Sequence, residues 1–294
     1  TGAATNGKAG RMLFSVGTGT TGNGGDINIV AGQTTDVSGK GGEITVTSGA
    51  GSGGTASAGG AMKLTSGAGA TMTGGFMSLA TGYGTATSSG SILMQTVNAG
   101  VNGVGGSMSF FTGTTSSGSS GKVLIATGKS NTGRAGSMIV SVGTGTTSDG
   151  GDISISSGNT NELTGGTISL SAMHGTTKSS GSIRVKTANA GASGVSGELS
   201  FTSGTTSGGS SGAIRLTTGA ATNGAGGSMT MLVGLSKTDA GGHIVSNAGI
   251  SLPLTGGAVS LSTGAGTATS SGSIVVRTLN GGDTGTSGYM QFAT

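Results

Sequence analysis

The sequence predicts an all-β fold: a single β-solenoid of about nineteen coils of 15–16 residues, spanning 1–294 as one continuous unit. Three observations predict it. Glycine stands two residues before an apolar residue nineteen times, from Gly10 before Met12 to Gly288 before Met290, at a spacing near fifteen. Apolar and polar residues alternate at each of these sites. A longer period of 91 residues lies above the short one. A fixed short period is the mark of stacked repeats, in which each unit buries its apolar face only against its neighbours.

The apolar anchors are Met12, Ile27, Ile44, Met62, Met77, Ile92, Met108, Val123, Met138, Ile153, Ile168, Ile183, Leu199, Ile214, Met229, Ile244, Val259, Ile274 and Met290. Gly151-Asp152-Ile153-Ser154-Ile155-Ser156-Ser157-Gly158 shows the local pattern. Alternation of this kind predicts a strand with one buried face, so Ile153 and Ile155 are expected inward. A second apolar residue follows the anchor by two positions in eighteen of the nineteen coils, the exception being Ser246. Two residues further on stands a small residue, such as Thr81, Thr96, Thr112, Ser157 or Thr263, where a corner narrows. Glycine usually follows, as turn geometry asks. The remaining Gly, Ser, Thr, Ala and Asn residues are expected to turn the chain, form a thin second strand and return. Stacked coils would lie about 4.8 Å apart.

Ile92, Ile183 and Ile274 are 91 residues apart, each preceded by Ser-Ser-Gly-Ser. Six coils fill that interval, and the sixteen-residue one always begins at these anchors. The next coil always carries phenylalanine, at Phe110, Phe201 and Phe292, and Phe110 and Phe201 are expected to be equivalent inward positions. Eight coils rather than six separate Met12 from its match Met138, so the first block has gained two coils around Met62 and Met77.

Composition sets further bounds. The chain has 68 glycines in 294 residues, one proline, no cysteine and 7% charged residues. Such Gly and Ser richness suits a flexible linker, yet linkers have no reason to place apolar residues periodically. Collagen would need glycine at every third residue. The net charge of +4 comes from 13 bases and 9 acids, spread along the chain. The densest basic group, Lys178, Arg184 and Lys186, has no interleaved aromatics, which argues against nucleic-acid binding. No apolar run approaches the ~18 residues of a membrane span, and no signal peptide is apparent. Thr1 to Gly7 matches Thr218 to Gly224, and the chain stops at Phe292-Ala293-Thr294, so it is expected to be a segment of a longer repeat protein or fibre.

The run Ser-Gly-Ser-Ile, Thr-x-Asn-x-Gly-x-x-Gly-Val and Phe-Thr-x-Gly-Thr-Thr-Ser resembles the Gly/Ser/Thr-rich repeat proteins of diatoms and other unicellular marine algae. The resemblance covers the whole chain. It implies a large secreted or surface-attached protein, and it supplies no catalytic residues to carry over.

Candidate sites are few. Ice binding wants one regular array of threonines. Thr45 and Thr47 form such a pair in one coil of the main strand, and Thr18/Thr20, Thr85/Thr87, Thr144/Thr146 and Thr267/Thr269 form pairs in separated coils. Gly24-Gly25-Asp26 and Gly150-Gly151-Asp152 resemble a calcium β-roll, but most coils lack the acid that motif requires. His174 and His243 stand 69 residues apart. The coil at Ile244 is the least regular, with Ser246 in place of an apolar residue and the only proline, Pro253. Runs such as Gly22-Asn23-Gly24-Gly25 lack the Lys-Ser/Thr and the helix of a phosphate loop. Twelve asparagines stand in a chain rich in Ser and Thr without one N-glycosylation acceptor, while O-glycans remain open.

The sequence therefore assigns no catalytic, cofactor-binding or metal residue, and no cofactor. It points to a structural, non-enzymatic extracellular or cell-surface protein: the shaft of a fibre, coat or adhesive layer. Its partners would be copies of itself, end to end or side by side, with extracellular glycans as a further class, no nucleic acid and no membrane span. The alternative is a surface that binds ice, mineral or glycan.

Overall fold

The computed structural model describes residues 8–52, 57–147, 149–175 and 179–293. The chain divides into two units, Thr1–Gly150 and Gly151–Thr294.

The all-β solenoid is not what the structure shows. Among the described residues there is neither strand nor helix, and no ladder joins one repeat to the next. The expected inward face is on solvent: Ile153 is 54% and Ile155 is 75% exposed. Phe110 and Phe201, expected in a core, are 64% and 68% exposed; Phe292 is more exposed still. No described hydrophobic residue is buried.

Two physical terms account for the difference. Alternation specifies a face, but burying it requires a neighbouring repeat to stack within about 4.8 Å. Ordering a backbone this rich in glycine costs more entropy than ordering an ordinary chain. A single apolar row set against small side chains offers little area to offset that cost. The accessible surface is 29371 Å². A globular protein of this mass exposes roughly 11,000 Å² by the usual surface scaling.

What the repeats form instead is a set of local closures, the same in both units. In eight repeats the glycine-rich stretch that follows the anchor is pinched at its neck by one backbone hydrogen bond. In the first unit Gly42 N–H donates to Gly32 C=O (2.8 Å), Gly60 to Gly49 (2.8 Å), Gly75 to Gly67 (2.9 Å) and Gly90 to Gly82 (3.0 Å). In the second, Gly166 donates to Gly158 (2.8 Å), Gly181 to Met173 (3.0 Å), Gly257 to Gly249 (2.9 Å) and Gly272 to Gly264 (3.1 Å). The donor is always the glycine two before an anchor, and the acceptor lies five after the previous anchor.

The longer period reappears in the turns. Gly103 N–H donates to Gly100 C=O, Gly194 to Gly191 and Gly285 to Gly282, at 3.0, 3.3 and 3.1 Å. These three tight turns are 91 residues apart and sit in the sixteen-residue repeats. A fourth, Gly39 to Asp36 (3.2 Å), takes up the extra length between Ile27 and Ile44. The added residues are thus absorbed by an i to i+3 turn, a low-cost way to shorten a loop.

Candidate functional site

At several loops the neck itself explains the glycine before the anchor. The side chain four after an anchor leans on the glycine two before the next. A Cβ built on Gly25 would lie 2.7 Å from Val16 Cγ1, and one on Gly242 would lie 2.8 Å from Val233 Cγ1. Where the residue is Thr81 or Thr96, the approach is 3.1–3.2 Å. The position expected to be small therefore tolerates valine, and Val233 is among the least exposed apolar residues at 39%. Ala31, Ser48, Ser66 and Ala248, all at this position, are half-buried.

The residue seven after the anchor decides how the loop folds, and sequence reasoning missed it. At five of the hydroxyl positions the oxygen accepts from the N–H three residues on, and at Thr34 it accepts from the N–H two residues on. Ser130 accepts from Gly133 (2.9 Å), Thr206 from Gly209 (3.2 Å), Ser236 from Asp239 (3.1 Å), Ser251 from Leu254 (3.1 Å) and Thr160 from Leu163 (3.3 Å). Thr115 reverses the sense and donates to Gly118 C=O (2.8 Å). At Gly51, Gly69, Gly84, Gly266 and Gly281 the loop backbone comes too close for a side chain, whereas Gly19 has room for one. A Cβ on Gly84 would lie 2.6 Å from Ser88 O, and one on Gly266 would lie 2.6 Å from both Thr269 O and Ser270 O. The signal was available: Ser, Thr or Gly recurs at this offset in most repeats. It was hidden by the abundance of those residues everywhere else.

The singled-out residues are not assembled into a chemical site. Thr267 and Thr269, Thr85 and Thr87, and Thr144 and Thr146 are exposed, all but Thr144 on loop bends. Asp26 and Asp152 are exposed, as are His174 and His243. No group of three His, Cys, Asp or Glu side chains able to hold a metal occurs among the described residues. The irregular repeat at Ile244 keeps the regular closure: Ser251 wraps Leu252-Pro253, and Gly257 pinches the neck. Lys178 lies outside the described residues, as do Thr1 to Gly7 and Thr294. No described helix is long and apolar enough to cross a membrane.

One carboxylate has a perturbed environment. Asp36 Oδ1 accepts from Ser38 N–H (2.8 Å) and Ser38 Oγ–H (2.9 Å), and Thr34 Oγ1 accepts from Asp36 N–H (3.2 Å). The backbone bond from Ser38, followed by its hydroxyl, holds the Asp36 carboxyl below its ordinary value. The pattern is that of an Asx turn and organises the loop, with no second acid beside it.

The surface that recurs is the apolar one. Anchors are the less exposed of each apolar pair, typically near 55%, and their partners two residues on are typically near 75%. Ile92, Val123, Ile168, Ile214 and Ile274 fall within a few per cent of one another. The same apolar pair is thus presented in the same way by repeat after repeat. No family model matches the chain, and no match was found among curated proteins or solved structures.

Proposed function

We propose that this is a structural, non-enzymatic protein of the extracellular space or cell surface, whose repeats build a fibre, coat or adhesive layer from copies of the chain. The carrying observation is the row of anchor pairs, repeated along the whole sequence and exposed throughout the described residues. Isolated apolar residues on a surface are ordinary, whereas a repeated series of them calls for a partner. A second copy is the partner favoured by spacing: a row of anchors at intervals of fifteen to eighteen residues is matched in register by another row with the same intervals. Burial of apolar surface supplies about 25 cal/mol per Å². A standard interface needs only about 1,600 Å² in total, a small part of the surface the chain exposes. The resemblance to the algal repeat proteins supports the extracellular setting and carries no weight for chemistry. The supporting argument against catalysis is that one repeated instruction occupies the sequence from end to end.

The test is a concentration series of purified full chain, followed by light scattering and electron microscopy, without metal or cofactor. Concentration-dependent association into fibres or layers is expected. A monodisperse monomer at every concentration refutes the proposal.

A further inference from the structure

We propose that the methionine anchors are oxidation sites, and that peroxide converts the apolar row of the first unit into a polar one. The inference rests on the reading of that row as an association surface, and deepens it by adding a chemical control.

Three observations carry it. Seven of the nineteen anchors are methionine, and two more methionines, Met94 and Met231, are the second member of an anchor pair. The chain has no cysteine, so thioethers are its principal sites of two-electron oxidation. The methionine anchors are between 44% and 68% exposed, so a peroxide reaches the sulfur without any opening of the chain. The distribution is uneven. Met12, Met62, Met77, Met108 and Met138 supply five of the nine anchors in Thr1–Gly150, while Met229 and Met290 supply two of the ten in Gly151–Thr294. Ile153, Ile168, Ile183, Leu199 and Ile214 form an uninterrupted inert run at the start of the second unit.

The step balances with a peroxide as oxidant. A sulfur lone pair attacks one peroxide oxygen, the S–O bond forms and the O–O bond breaks. Sulfur is oxidised by two electrons, and the departing oxygen takes up a proton and leaves as water. The product is a polar sulfoxide where an apolar side chain stood, which thiol-dependent reductases reverse.

The experiment treats the full chain with hydrogen peroxide and reads three signals: peptide mass mapping, retention on a hydrophobic column, and light scattering. A chain carrying M12L, M62L, M77L, M94L, M108L and M138L keeps the apolar row and loses the row's first-unit sulfurs. The expected result is one added oxygen at each first-unit anchor, a clear loss of column retention and several-fold lower scattering for the unsubstituted chain. The leucine variant should largely retain its retention and scattering. Unchanged retention of the oxidised chain overturns the inference, and so does an equal loss in the leucine variant. Absence of scattering from every sample defeats the association reading instead, and retention then still decides the oxidation claim.

Discussion

Two glycines in one loop should respond to alanine with opposite signs. Gly264 accepts the neck bond from Gly272 N–H at 3.1 Å, and a Cβ added there meets nothing within 4 Å. Its φ is not positive, since the described glycines with positive φ are Gly22 and Gly118. Alanine at 264 therefore fits the observed backbone and lowers the entropy of the open chain, which should stabilise the closed loop by about 0.4–1 kcal/mol. Two residues on, a Cβ at Gly266 would lie 2.6 Å from two carbonyl oxygens and 3.0 Å from Ser270 C. Ordinary contact begins near 3.4 Å, so the loop would have to widen by most of an ångström against backbone atoms. Overpacking of that kind costs about 1–3 kcal/mol. Hydrogen exchange at the Gly272 amide reads the outcome, because that N–H closes the neck. Since 1.4 kcal/mol is a tenfold change, Gly264→Ala should slow exchange about two- to fivefold. Gly266→Ala should speed it about fivefold or more, up to the rate of an unstructured amide. Effects of equal sign and size would refute the claim that close approach at the seventh position sets the loop.

Further outcomes follow from the same geometry. Phe201→Asp should change the stability of the isolated chain by less than about 1 kcal/mol, because the ring is already largely on solvent; it should still weaken self-association in light scattering, and a large drop in stability would show that the ring is packed. Ser130→Ala should remove protection of the Gly133 amide, at a cost of about 0.5–1.5 kcal/mol, while Ser130→Thr keeps it, with amide exchange as the measurement. The Asp36 carboxyl is held low by bonds that only its charged form accepts fully, so those bonds are present above its unfolded value and are lost as pH falls through the lower folded value. An NMR titration of the Ser38 amide should therefore give a midpoint below 3.8, the ordinary value for this carboxyl; a midpoint at or above it contradicts the Asx turn.

Sequence alone determined the repeat itself. The glycine before the anchor reappears in eight repeats as the donor of the neck bond, the second apolar residue as the more exposed member of each pair, and the 91-residue period as three equivalent tight turns. These are local features, set within about fifteen residues, where side-chain size and backbone freedom act directly. Whether Ile153 and Ile155 face a core was not local. Alternation marks one face of a segment as apolar but does not name what covers it, and the same pattern serves a buried ladder and an exposed row alike. Tertiary structure decided that question against the solenoid. It put close approach not at Phe110 or Phe201, which lie on solvent, but inside the loops at Gly84 and Gly266 and at the necks where Gly25 and Gly242 meet Val16 and Val233. It also drew the seventh residue out of a background of serine, threonine and glycine, since only the folded loop shows which hydroxyl meets an N–H and which glycine has no room for a Cβ. The physical reason is range: glycine and hydroxyl chemistry acts across three to eleven residues of one loop, whereas a core exists only when distant repeats come together.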